Sequence, residues 1–289
     1  MATSAAPALQ PAFRLSQATG FTLKGEIALV VLTILVMIFL VYPTAWIIVA
    51  SFKTPETMFS ATEFDFTFGN YVSLFGTGYA RNIFNSLYLC IGAVLISTFI
   101  SSIAAYTFSR MRFRFKPLIF GSVLLGQCFP WIILVTPLFI LFAQLGLIND
   151  HLSMLFVYTA ITIPFSVYLL VGYLESVPRS LDEAAIIDGC SRFGVIWRIV
   201  FPIMLPGIVA TATYSFMLCW TEYLFALAFL TKTHLKTMPL GLYAFFGEDT
   251  AEWGNIMAAS ALTTAPTLLL FLPLQTRLTS GLAAGSVKQ

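Results

Sequence analysis

Residues 182–202 read DEAAIIDGCSRFGVIWRIVFP, a run that gathers charge in a chain that is otherwise poor in it. Asp182, Glu183 and Asp188 stand close together, Arg192 and Arg198 follow, Gly189 interrupts and Pro202 closes the segment. These residue types suit recognition of another surface better than catalysis. No G-x-x-x-x-G-K-[ST] phosphate loop occurs, so the chain is not an ATPase by that route. The four cysteines, Cys90, Cys128, Cys190 and Cys219, show neither metal nor redox spacing and read as small buried apolar residues. His151 and His234 are far apart in loops and read as solvated. No Ser/His/Asp arrangement or metal cluster stands out, and the chain is not expected to be an enzyme. The other carboxylate that draws notice is Glu222, set alone inside a long apolar run.

The elements that position these residues are membrane helices. Of 289 residues 58% are hydrophobic and only 10% charged, with mean hydropathy +0.89; a soluble fold of this length needs more polar surface. A net charge of +2 gives no footprint for nucleic acid. A spanning helix needs about 20 apolar residues, and runs of that order lie at 27–50, 82–109, 117–149, 152–174, 199–230 and 253–276. The expectation is an all-α integral membrane protein with six transmembrane helices; continuous rather than alternating apolar runs exclude a barrel. The run at 117–149 is too long for one span, so part of it is expected to lie outside the bilayer. The first 20 residues lack the apolar core of a signal peptide, and the first span reads as an uncleaved anchor. Six spans put both termini on one side. Arg14, Lys24, Arg110, Arg112, Arg114, Lys116, Arg179, Arg192, Arg198, Arg277 and Lys288 would share that side, against Lys53, Arg81, Lys232 and Lys236 on the other; this places both termini in the cytoplasm. The domain reading is a cytoplasmic tail at 1–24, a membrane domain at 25–276 with a cytoplasmic loop at about 178–202, and a second tail at 277–289. The loops at 51–81 and 231–252 face outward and carry Glu56, Glu63, Asp65, Glu248, Asp249 and Glu252. Pro43, Pro130, Pro137, Pro164, Pro206, Pro266 and Pro273 recur at membrane depth, where each invites a kink; bent helices suit a transporter, and proline is also common in membrane helices generally.

Within the charged loop, Ser180 and Glu183 make the S-x-x-E pattern of a capping box, which predicts a short helix from Leu181 to Asp188 closed by Gly189 in a left-handed turn. A second short helix is expected after Ser191, with Phe193, Ile196, Trp197 and Val200 on one face and Pro202 stopping it before the fifth span. Such an amphipathic helix–turn–helix suits either lipid headgroups or a cytoplasmic protein partner.

The spacing E-A-A-x3-G-x9-I-x-x-P, here Glu183-Ala184-Ala185, Gly189, Ile199 and Pro202, resembles the EAA loop of ABC importer permeases, with Phe201 in place of the usual leucine. Phe129-Pro130 to Pro137-Leu138-Phe139, Leu145-Gly146-Leu147, Asn85-Ser86, Ala104-Ala105-Tyr106 before Arg110, and Trp220-Thr221-Glu222-Tyr223 are similar to segments of MalG-like carbohydrate permeases, although Thr221 stands where that family has asparagine. The tail Gly281-Leu282-Ala283-Ala284-Gly285-Ser286-Val287-Lys288 resembles the family ending. The resemblance covers about residues 25 to 289 and implies a type I importer permease fold in the inner membrane of a bacterium or archaeon. It implies that Glu183, Ala184, Ala185, Asp188, Gly189, Ile199 and Pro202 couple to an ATPase, and that Gly281, Gly285 and Lys288 reach it from the tail. It also implies the partners: a second permease in a heterodimer, two ATP-binding cassette subunits that hold ATP and magnesium, and an extracytoplasmic solute-binding protein. This chain itself would bind no cofactor.

Residues that would line a substrate pathway are Glu222, Trp220, Trp131, Tyr214 and Tyr168. A carboxylate at membrane depth faces a cavity, water or a partner, yet Glu222 equally suits a paired helix–helix contact, and the aromatics equally suit packing. The expected function is import of a sugar or oligosaccharide. Import of a polyol or glycerol phosphate, a proton-coupled carrier with Glu222 as relay, and a structural membrane protein stay open beside it.

Overall fold

The structure is a computed structural model in which residues 23–247 and 251–285 are described. Among them the regular elements are helices, with two isolated β-bridges, Lys53 to Phe66 and Phe246 to Ala251. Single helices long and apolar enough to cross a bilayer occupy 24–50, 79–110, 151–175 and 193–220.

The centre is a packed triad: α3 (Tyr79–Arg110), α6 (His151–Glu175) and α9 (Phe201–Trp220). The sequence allows their close approach because Cys90, Ala93, Ser97, Ser101 and Ala105 recur every three or four residues on α3 and are all completely buried. Small side chains at that spacing let helix backbones come near enough for dispersion and weak polar contacts to hold them. Ser166 and Ser215 share a hydrogen bond of 3.1 Å between α6 and α9. Gly207 lies against the Tyr173 ring, where a Cβ would stand 2.8 Å from Cγ. Two apolar cores stack along α3, one around Leu89, Met154, Phe216 and Phe225, the other around Tyr106, Leu170, Leu174 and Met204.

The long run at 117–149 is not one continuous helix. It divides into α4 (Lys116–Leu125) and α5 (Trp131–Gln144), joined by a tight turn at Gly126–Cys128 and bent by 99°. Pro130 supplies the break: it removes an amide donor and forces extended backbone on Phe129, whose ψ is 128°. The fifth run is also broken, between α9 and the short α10 (Leu224–Phe229). α1 (Leu23–Ala50) is apolar all round, and residues 27–43 are exposed on every side; in water such a helix would not stand alone. It leans on α12 (Trp253–Gly285), which runs without interruption past the expected boundary at 276.

At one end of the triad lie α2 (Gly69–Gly76), the 51–68 loop and the segment 231–247 with its helix α11 (Met238–Tyr243); at the other lie α7 (Ser180–Ile187) and α8 (Arg192–Val195). The elements thus sort the charged loop and the 231–247 segment to opposite ends of α3.

Candidate functional site

α7 forms where the sequence reading puts it, within a residue at each end, but not through a capping box. Its cap position is Arg179, in helical conformation and without a side-chain cap, and Ser180 is already inside the first turn. Cap geometry needs extended backbone at the capping residue, and the chain enters α7 through a turn at Pro178–Leu181 instead. Glu183 is therefore free of that local duty and exposed. Gly189 closes the helix at φ 86°, with nothing within 4 Å of where a Cβ would sit. Its requirement is purely conformational, since left-handed backbone strains residues that carry a Cβ.

The second half departs from expectation. Pro202 stops nothing: α8 continues through a π-helical stretch at Ile196–Val200 directly into α9, with Pro202 in the first turn of α9. The wider π turn accommodates the missing proline donor. It also changes the buried face. Val195 and Val200, five residues apart, are the buried pair, while Phe193 is 70% exposed and Trp197 sits half out against Phe99 and Phe201. Ile199 packs on the same core and Pro202 is exposed.

Ala185, Val195 and Val200 belong to the core with Tyr106, Leu170 and Leu174, so one face of the loop is seated on its own helices. The opposite face presents Glu183, Ala184, Ile186, Ile187 and Asp188. Ile187 is 85% exposed, beside two carboxylates.

Sequence reasoning missed what anchors this platform. Asp182, not Glu183, faces inward: its Oδ2 lies 2.8 Å from Arg110 Nε at the end of α3, both side chains nearly buried. Arg110 Nη2 donates to the Val177 carbonyl at 3.0 Å, and Arg179 Nη2 donates to the Ser109 carbonyl at 2.7 Å. Each guanidinium satisfies a carbonyl at or just beyond a helix C-terminus, where acceptors lack intrahelical donors and the dipole favours cations. The available signal was an arginine at the end of a span together with a second acid beside Glu183.

At the other end of α3 the 231–238 segment is fastened by side chains. Asn85 Nδ2 donates to the His234 and Lys236 carbonyls, both at 3.0 Å. Ser86 Oγ accepts from Met238 N at 2.7 Å, Tyr79 OH donates to Met238 O at 3.2 Å, and Asn149 Oδ1 accepts from Thr231 and Lys232. His151, expected to be solvated, contacts Leu235 O through Nε2 at 2.9 Å. The neighbouring 51–66 loop wraps around Lys53, 3% exposed, whose ammonium donates to the carbonyls of Thr57, Ser60 and Glu63 and lies over the rings of Trp46 and Phe64.

The pathway candidates do not converge. Glu222 is buried within its own chain: Oε1 accepts from Phe225 N at 2.7 Å, and Oε2 accepts from Ala226 N and from Tyr158 OH, each at 3.3 Å. It caps α10 and so repairs the break in the fifth run, satisfying amides that lipid cannot. Trp220 is 1% exposed, stacked on Phe216 and bonded through Nε1 to Thr263 O, and has no face left for a sugar ring. Trp131 begins α5, half-buried. Tyr168 and Tyr214 are exposed and flank Phe165, which lies 4.0 Å from the Tyr214 ring. Cys90 and Cys219 are buried as expected, whereas Cys128 is exposed at the α4–α5 bend and Cys190 is half-buried. Gly281 and Gly285 fall in the last turns of α12; Lys288, Glu248 and Asp249 lie outside the described residues.

Fold and site define a polytopic helical membrane protein with a loop fastened by side chains at each end of one helix. Residues 97–283 match the family described as binding-protein-dependent transport system inner membrane component, and the chain belongs to that family. It is 35% identical over 269 residues to the trehalose/maltose transport system permease protein MalG of Thermococcus litoralis, covering 91% of this chain and 97% of that one. It is 32% identical over 255 residues to the sulfoquinovosyl glycerol transport system permease protein SmoH of Agrobacterium fabrum, covering 86% and 88%. The crystal structure of a bacterial ABC transporter involved in the import of the acidic polysaccharide alginate shares the fold, with a TM-score of 0.74 at 19% identity over 89% of this chain and 98% of that chain.

Proposed function

We propose that this chain is the transmembrane permease subunit of an ATP-driven importer of sugars or oligosaccharides, and that its 180–200 loop takes up the movement of a cytoplasmic ATPase. The observation that carries the coupling role is the two-sided build of that loop, with Ala185, Val195 and Val200 seated on the helices and Glu183, Ala184, Ile186 and Ile187 turned outward. A loop lying on lipid would bury its apolar residues in the acyl boundary and keep its charges in the headgroups; here Ile187 projects from the same surface as Glu183 and Asp188, which suits a protein groove. The similarity to trehalose/maltose and sulfoquinovosyl glycerol permease proteins supports a carbohydrate or glycoside as cargo.

The remainder of the reading follows that role. α12 is the sixth span, and both termini lie in the cytoplasm with the 180–200 loop. The 51–68 and 231–252 segments face outward toward a solute-binding protein, and Gly281, Gly285 and Lys288 extend toward the ATPase. α1, whose residues 27–43 are exposed among the described residues, is covered by lipid and by a second permease. ATP and magnesium belong to the two ATPase subunits. Tyr168 and Tyr214, exposed together on α6 and α9, are the pathway candidates that keep a free face; Glu222 and Trp220 serve the fold.

Mild-detergent purification of the tagged chain with mass identification of what accompanies it tests the reading. Wild type is expected to bring an ATPase and a second permease, and a chain carrying Glu183→Ala and Gly189→Val to lose the ATPase and keep the permease. A folded wild-type chain that emerges alone contradicts the proposal.

A further inference from the structure

α3 is the one long helix among the described residues that contains no proline; α1, α5, α6, α9 and α12 each hold at least one. Its 32 residues make a rod of roughly 48 Å. One end is fastened to the coupling loop by Arg110 to Asp182, Arg110 to Val177 and Arg179 to Ser109. The other is fastened to the 234–238 segment by Tyr79, Asn85 and Ser86. The covalent route out of the loop is softer. It passes through the π-helical stretch at 196–200 and then Pro202 and Pro206, features at which helices bend.

The inner joint also has unused bonding capacity. Ser109 Oγ and Asp182 Oδ1 are buried and make no hydrogen bond, while Arg110 Nε meets Asp182 Oδ2 at 2.8 Å. A buried ion pair contributes little net stability over apolar packing, so its presence asks for another reason. A joint holding a spare donor and a spare acceptor can exchange one bonded arrangement for another without stranding a charge, as a two-state element requires.

We propose that α3 is the stiff member that carries movement of the 180–200 loop to the 231–241 segment on the far side of the membrane, with Arg110 and Asp182 as its inner joint and Asn85 as its outer joint. The inference rests on the permease reading above and assigns Arg110, Asp182 and Asn85 as positioning residues.

The test is hydrogen–deuterium exchange on the complex purified with its ATPase subunits, comparing nucleotide-free protein with protein held in ATP and vanadate. In wild type, nucleotide is expected to change the exchange rate of the 231–241 peptide about threefold or more. With Asp182→Asn, roughly 40 Å away along α3, that response is expected to vanish while the nucleotide-free rate stays at its wild-type value. A merely structural role would instead raise the nucleotide-free rate throughout the chain. Arg179→Gln, at an exposed side chain, is a second inner-joint variant for the case in which Asp182→Asn fails to assemble, and is expected to reduce the response. A full response in an assembled inner-joint variant, or none in a wild type that carries its ATPase, overturns the linkage alone; a wild type that purifies without an ATPase overturns the permease reading beneath it.

Discussion

At the scale of single residues, two positions separate roles that the sequence left entangled. Gly189 at φ 86° has open space around its missing Cβ, so substitution acts through backbone strain, about 1–2 kcal/mol for an ordinary L-residue in the left-handed region and less for asparagine. Gly189→Asn is therefore expected to keep a substantial part of wild-type uptake, and Gly189→Val to lose it with the protein still inserted; equal uptake by both variants, in a transport assay normalised to membrane abundance, contradicts this. Glu222 offers the second separation. Gln keeps one acceptor for the α10 amides, whereas Ala strips the cap and strands the Tyr158 hydroxyl, a cost of about 2–4 kcal/mol from cap loss and a buried unsatisfied group. Glu222→Gln is expected to transport at near wild-type rate and Glu222→Ala to lower the thermal unfolding midpoint in detergent. A proton relay demands the reverse: a stable Gln variant with no transport.

At the scale of elements, the 51–66 loop is built inside out, around a lysine ammonium that holds carbonyls from three positions. Lys53→Met removes those donors, leaves acceptors bare and is expected to open the loop; faster protease cleavage within 54–66, with the rest of the chain intact, is the readout. Much of the element order was legible, because apolar runs report where long helices lie, and the Gly189 turn followed from local chemistry. Three features were not. The capping box failed because entry through the Pro178–Leu181 turn holds Arg179 in helical backbone, which no S-x-x-E pattern reveals. The continuous helix through Pro202 depends on a π turn, set by tertiary packing of Val195 and Val200. The inward turn of Asp182 depends on Arg110, far away in sequence, and a pair of that kind carries no local periodicity. For the site, the aromatic candidates could not be told apart: a buried Trp220 and an exposed Tyr214 look alike in a string of apolar residues.

At the scale of the whole molecule, the chain has a helix with a loop fastened at each end, and among the described residues 27–43 of α1 are exposed on every side. Neither feature suits a protein that works alone. A carrier driven by protons would need its titratable group at a cavity, and Glu222 instead closes a break in its own helix. Transport is thus expected to draw on ATP hydrolysed by a partner. The most direct measurement is uptake of a labelled disaccharide series, maltose and trehalose included, into proteoliposomes holding the copurified complex, with the solute-binding protein outside. The account predicts uptake that requires ATP inside, ceases without the binding protein, and persists when a protonophore collapses the proton gradient. Uptake that runs without ATP and stops with the protonophore would contradict it.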